Sequence, residues 1–181
     1  MTRLMILCLV LLSFHTTLAV EPKDVTTPVH DVFEFTAFVD YQTPSHEQLD
    51  DAFDTVSPSF DGVHFTQTAQ SSTTPRRVTF EYVEPVRTAT TKEILVAMKR
   101  RGVRPATFEE LIAFARSFPD EQRKHQIVAL GSVAQANGYR FVTLIGELGE
   151  HTHERSIDLN GDDDSYDWKD NYRFLVVRKA S

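Results

Sequence analysis

Cysteine is almost absent from this chain. The single Cys8 lies near the N-terminus, inside a run that reads as a removable leader, so the chain expected to remain holds none. Such a chain forms no disulfide, offers no thiolate metal site and has no cysteine nucleophile. Glycine is scarce too: the seven glycines are scattered, and none belongs to a phosphate-cradling loop. Positive charge is outnumbered, with 19 Lys and Arg against 26 Asp and Glu and a formal net charge of −7. This balance excludes general nucleic-acid binding, because phosphate contacts need clustered Lys and Arg. The short cluster Lys99-Arg100-Arg101 falls at an expected helix end, where cations meet the negative end of the dipole. Beyond the N-terminus no apolar run approaches the length of a membrane span.

At 181 residues, 41% of them hydrophobic, the chain is long enough for one domain or two small ones and too apolar for disorder. Arg3, the apolar run Leu4 to Leu12 with Phe14, and the small residues Thr17 and Ala19 have the order of a secretory signal. The expectation is cleavage after Ala19, a secreted or periplasmic protein, and no membrane span after signal cleavage. The alternative is a short N-terminal anchor. Residues 20–31 mix Pro22, Pro28, Thr and charges without apolar periodicity and read as a flexible leader.

The expected fold class is α+β. Residues 32–101 predict a small layer of strand, helix, strand, strand and helix. Val32 to Val39 is the first strand. Ser45 and Gln48 make a capping box before Leu49, Ala52 and Phe53 at helical spacing. Val56 to Gly62 reads as a turn region and Val63 to Thr68 as a strand. Residues 70–75 form a polar loop. Arg77 to Val83 alternates, with Val78, Phe80 and Tyr82 on one face. Thr90 and Glu93 cap a helix to Arg101 whose expected apolar stripe is Ile94, Leu95 and Met98, with Gly102 suited to its exit.

Residues 102–181 form the second half. Thr107 and Glu110 cap a helix that presents Phe108, Leu111, Ile112 and Ala115 on one face and ends at Phe118-Pro119. Ile127 to Leu130 reads as a central strand. Asn137-Gly138, between the extended runs Val128 to Ala134 and Tyr139 to Ile145, is a strong hairpin signal. Arg155 to Leu159 and Phe174 to Val177 complete the strands.

No residue set amounts to a catalytic signature. The run from Asp158 to Asp164 suggests calcium, but its glycine stands fourth rather than sixth and its twelfth residue is Lys169, so an EF-hand is excluded. A looser calcium site and a solvated acidic turn both stay open. His151 and His153 share a face of an extended segment, which leaves a metal-dependent hydrolase as the alternative function. Ser132 follows Gly131 without the pattern of a nucleophile elbow and reads as structural. Glu109 and Glu110 sit in a first helical turn, where capping explains them.

The segment from Glu147 to Tyr172 concentrates aromatic and polar residues. Tyr and Trp give contact area at few torsions, and Asn and Asp give adaptable hydrogen bonds; for Trp168 and Tyr172 the alternative is that they cap the core. The expected function is therefore a non-enzymatic binding module with no cofactor, which meets a protein or glycan through Tyr166, Trp168, Asp170, Asn171 and Tyr172, with His151 and His153 nearby. A purely structural envelope protein is a further alternative.

Three motifs carry a resemblance. Arg104 to Leu111 has the form Arg-Pro-Ala-Thr-x-Glu-Glu-Leu, Ile127 to Val133 reads Ile-Val-Ala-Leu-Gly-Ser-Val, and Arg173 to Lys179 has the form Arg-Phe-Leu-x-Val-Arg-Lys. In these the chain resembles a group of uncharacterised bacterial proteins, many from candidate phyla, over most of its length after the leader. More distantly, the second half is similar to C-type-lectin-like domains of the type found in formylglycine-generating enzymes. That similarity implies a scaffold closed by the final strand, with the ligand face on the loops of Glu147 to Tyr172. The chain departs from those enzymes in lacking their cysteines. It departs from calcium-dependent lectins in having Trp168-Lys169-Asp170-Asn171 and no proline in the display segment.

Overall fold

The computed structural model describes residues 34–41, 49–60, 63–67, 74–148, 153–162 and 166–178. The expected signal, the leader, the Ser45–Gln48 capping box, the polar loop before Thr74 and His151 lie outside the described residues. The fold is α+β: a large mixed sheet with helices on its faces.

The strands of the main sheet are β1 (Phe35–Val39), β2 (Thr55–Val56), β3 (Phe65–Gln67), β4 (Arg76–Val83), β6 (Val103–Pro105), β7 (Gln126–Ala136), β8 (Tyr139–Glu147), β9 (Arg155–Gly161) and β11 (Tyr172–Arg178). They lie in the order β1-β4-β11-β7-β8-β9-β2, with β3 on β7 and β6 on β11. A separate ribbon pairs β5 (Ala89–Thr90) with β10 (Asp167–Trp168). The helices are α1 (Leu49–Ala52), α2 (Thr91–Arg100), α3 (Phe108–Ser117) and α4 (Glu121–Lys124). Strands from both sides of residues 101 and 102 share one sheet, since β4 pairs with β11 and β2 with β9.

Successive side chains of a strand point to opposite faces, and β11 shows what covers each face. Leu175 and Val177 join a core with Phe80, Leu111, Ile112 and Phe114, on the side of α1 and α3. Phe174 and Val176 join a second core with Ile94, Met98, Val128 and Trp168, on the side of α2. An unbroken apolar run is the signature of a strand covered on both faces, and that is why Phe174 to Val177 is wholly buried. The same double cover buries β4 more deeply than its alternation suggested: Glu81 and Val83 are buried beside Val78 and Phe80.

The three motifs meet at one junction. The Ala106 N–H donates to the Leu175 carbonyl at 3.0 Å, and the Gly131 N–H donates to the Ala106 carbonyl at 2.8 Å. The Phe108 N–H, orphaned at the start of α3, donates to Ser132 Oγ at 2.9 Å. Glu110 is fully buried and accepts both guanidinium nitrogens of Arg104, at 2.7 and 2.6 Å, and the Thr107 N–H at 2.9 Å. The Tyr41 hydroxyl donates to the same carboxylate. Burial alone would strip charge from Arg104, but Glu110 outweighs it and holds the guanidinium above its ordinary value. Glu110, Ser132 and the three motifs thus act as framework.

The hairpin forms as the sequence predicts. Asn137 and Gly138 have φ of 52° and 82°, and Ala136 opposes Tyr139. A two-residue turn with both φ positive matches the right-handed twist of the flanking strands. Further down, β7 carries a register shift between Ala129 and Ala134, where β3 joins it. Such an irregularity re-aims a strand.

Candidate functional site: a cleft between helix α2 and the hairpin tip

The display segment is not what the sequence suggested at its centre. Trp168, expected in solvent, is fully buried. Its indole N–H donates to Thr91 Oγ1 at 2.8 Å. Its ring meets Tyr166, Tyr172 and Phe174 edge-on at centroid distances of 4.6, 5.2 and 5.4 Å. The cause is the pairing of β10 with β5, which carries the indole under the first turn of α2. A large ring with one donor is stable inside when that donor finds an acceptor. The expectation that Trp168 is a contact residue is corrected: it is a core residue.

Tyr166 and Tyr172 are half-buried against that ring. Burial, reinforced by a hydrogen bond with Tyr166, pushes the Tyr172 phenol up to about 12. Asp170 and Asn171 are exposed in the turn before β11. His153 stands apart, exposed at φ 54° before β9, with Nδ1 2.7 Å from Glu147 Oε1. Asn171 and Glu147 border a polar cleft of about 490 Å³ beside α4, with Arg123, Lys124 and His125. Burial and the nearby Arg173 guanidinium lower the pKa of His125. The structure therefore gathers Tyr166, Trp168 and Tyr172 in one place and puts His153 in another.

Among the described residues no group of three or more His, Cys, Asp or Glu is placed to hold a metal ion. In the calcium-like run, Asp158 accepts from Ser59 Oγ at 3.0 Å and Asp162 from Arg140 Nη2 at 3.2 Å.

The larger cleft, about 710 Å³, lies between the outer face of α2 and the tip of the β7–β8 hairpin. Its helix wall follows from spacing. Thr91, Ile94, Ala97 and Met98 face inward. Lys92, Leu95, Val96 and Lys99 repeat at intervals of three, one and three, the spacing of a second stripe on the opposite face, and all four line the cleft. Leu95, expected in the core stripe, is instead 39% exposed and Val96 42%. The facing wall carries Tyr139, 67% exposed, with Arg140 and Phe141. Tyr139 stands there because the two-residue turn ends one position before it.

Arg140 is fixed at both its backbone and its side chain. Asp162, at the end of β9, donates its N–H to the Arg140 carbonyl at 2.9 Å. The Asp162 carboxylate, only 4% exposed, holds the guanidinium, which stays 55% exposed. The cleft thus joins an apolar floor to three cations and one paired carboxylate. Its sequence signal was three consecutive aliphatic residues, Ile94, Leu95 and Val96, which no single inward stripe can hold together. No helix among the described residues is long and apolar enough to cross a membrane. No protein-family model, curated protein or solved structure matches this chain.

Proposed function

We propose that this protein is a non-enzymatic binding module that takes its ligand in the cleft between α2 and the β7–β8 hairpin. The observation that carries this reading is the exposure of Leu95, Val96 and Tyr139 around one concave surface of about 710 Å³. Small-molecule sites are concave, mostly apolar and about 300–1,000 Å³, with a few polar groups that fix orientation. Both walls are regular elements anchored in the second core, so the geometry is preorganised. The C-type-lectin-like scaffold and export after Ala19 belong to the same proposal. The display segment contributes Gly161 and Asp162 to the cleft, and the turn bearing Asp170 and Asn171 is a secondary contact candidate.

The test is amide chemical-shift mapping on the isotope-labelled full chain with a set of small organic fragments. Shifts at residues 92–99 and 138–141 are expected. Shifts confined to residues 166–172 would move the site to the turn before β11. Shifts confined to residues 122–126 and 171 would move it to the polar cleft.

A further inference from the structure

We infer that the ligand of this cleft is a small amphipathic anion: a carboxylate on an aliphatic or aromatic body. The inference rests on the binding reading above and specifies its chemistry.

The molecule as a whole carries a net charge of −7, yet Lys92, Lys99 and Arg140 converge on one concavity. Against them the described lining offers a single carboxylate, Asp162, already engaged by Arg140. A local field opposite in sign to the protein's overall charge selects anions at that spot. Lys92 and Lys99 stand at the two ends of the outer stripe, roughly 10 Å apart along a helix of 1.5 Å rise per residue. Leu95 and Val96 lie between them, with Tyr139 and Phe141 opposite. An anion bound at one end therefore has an apolar body resting on the aliphatic pair. Arg140 adds a planar guanidinium, the group best suited to a carboxylate. Its aim is set by Asp162, which makes Asp162 a positioning residue.

A polyanion fits less well. Nucleic acid needs an extended basic surface, and here an apolar floor separates the cations. A small organic acid matches both the volume and the charge pattern.

The experiment is isothermal titration of the full chain at low salt with octanoate, octanol and octylammonium, each an unbranched chain of eight carbons. Octanoate should bind, and octanol and octylammonium should bind at least about tenfold more weakly. Lys92→Gln with Lys99→Gln should weaken octanoate by about tenfold, and added salt should weaken it further. Leu95→Glu should abolish binding while circular dichroism stays that of the parent. If octanol matches octanoate and Leu95→Glu still abolishes both, the anion assignment is wrong and the cleft remains the site. If octanol or octylammonium binds and octanoate does not, the anion assignment is likewise wrong; if none of the three binds, or octanoate binds Leu95→Glu as well as the parent, the cleft reading itself is overturned. Displacement of octanoate by an acidic peptide that binds much more tightly would replace the small acid by a peptide ligand.

Discussion

The indole N–H of Trp168 donates to the hydroxyl of Thr91, 77 residues earlier in the chain, at 2.8 Å. Thr91 opens helix α2, so this bond ties the end of the display segment to the wall of the cleft. Trp168→Ala should therefore cost about 3–5 kcal/mol as a large core deletion. Thr91→Val keeps the volume but leaves a buried indole donor unsatisfied, at about 1–3 kcal/mol. Denaturant unfolding measures both, and with its acceptor gone the buried indole should emit further to the blue in Thr91→Val. A Trp168→Ala protein as stable as the parent would return the residue to the surface.

Removing Arg104 should be more damaging than removing any of the exposed partners. Arg116 and Asp51, for example, are 44% and 72% exposed, and such pairs contribute about 0–1 kcal/mol. Arg104→Met leaves the fully buried Glu110 carboxylate without its cation, a loss of about 3–5 kcal/mol. The double variant Arg104→Met with Glu110→Met should recover much of it. Equal effects of Arg104→Met and Arg116→Met on the unfolding midpoint would contradict this.

Two glycines should respond differently to alanine. A Cβ at Gly131 would lie 2.4 Å from the Ala106 carbonyl oxygen, a backbone atom held in the motif junction. Overpacking there should cost about 1–3 kcal/mol and disturb the Gly131–Ala106 hydrogen bond, visible as faster amide exchange. At Gly138 a Cβ meets nothing within 4 Å. Its φ of 82° alone sets the penalty, about 1–2 kcal/mol, with amide exchange at the junction unchanged.

Alkaline pH should loosen the fold through Tyr41. Burial, with the hydrogen bond to Glu110, pushes its phenol from the ordinary 10.0 up to about 12. The folded chain keeps a proton that the unfolded chain releases. That contribution is whole below about pH 10 and is lost as pH rises from about 10 to about 12. Tyr41→Phe should flatten part of the fall in stability across that window and remove one late-ionising phenol from the ultraviolet titration. An unaltered titration curve in Tyr41→Phe would refute the assignment.

Local chemistry was legible in the sequence wherever it is completed within a few residues. Thr90 with Glu93 and Thr107 with Glu110 form capping boxes with both bonds present. The Asn137-Gly138 turn needs only residues that tolerate positive φ. The inward face of α3 follows from helical spacing. The short elements β2, β5, β6, β10 and α4 were not legible. Each spans four residues or fewer, too few to show a period, and most exist because a distant strand supplies their hydrogen bonds.

The candidate site divides in the same way. Tyr, Asn and Asp in the 147–172 segment marked a polar surface, and Asp170 and Asn171 are on it. What residue type could not say is which aromatic faces water. Trp168 has the composition of a contact residue and the position of a core residue, because β5 captures β10. Leu95 has the composition of a core residue and lines an open cleft. An apolar side chain lowers its free energy by leaving water wherever a partner surface exists, and only the packing of elements distant in sequence decides where that is. The sequence alone therefore determined the helix caps, the turn and the α+β class. The sheet order, the burial of Trp168 and the cleft beside α2 came from long-range pairing, which no local pattern encodes.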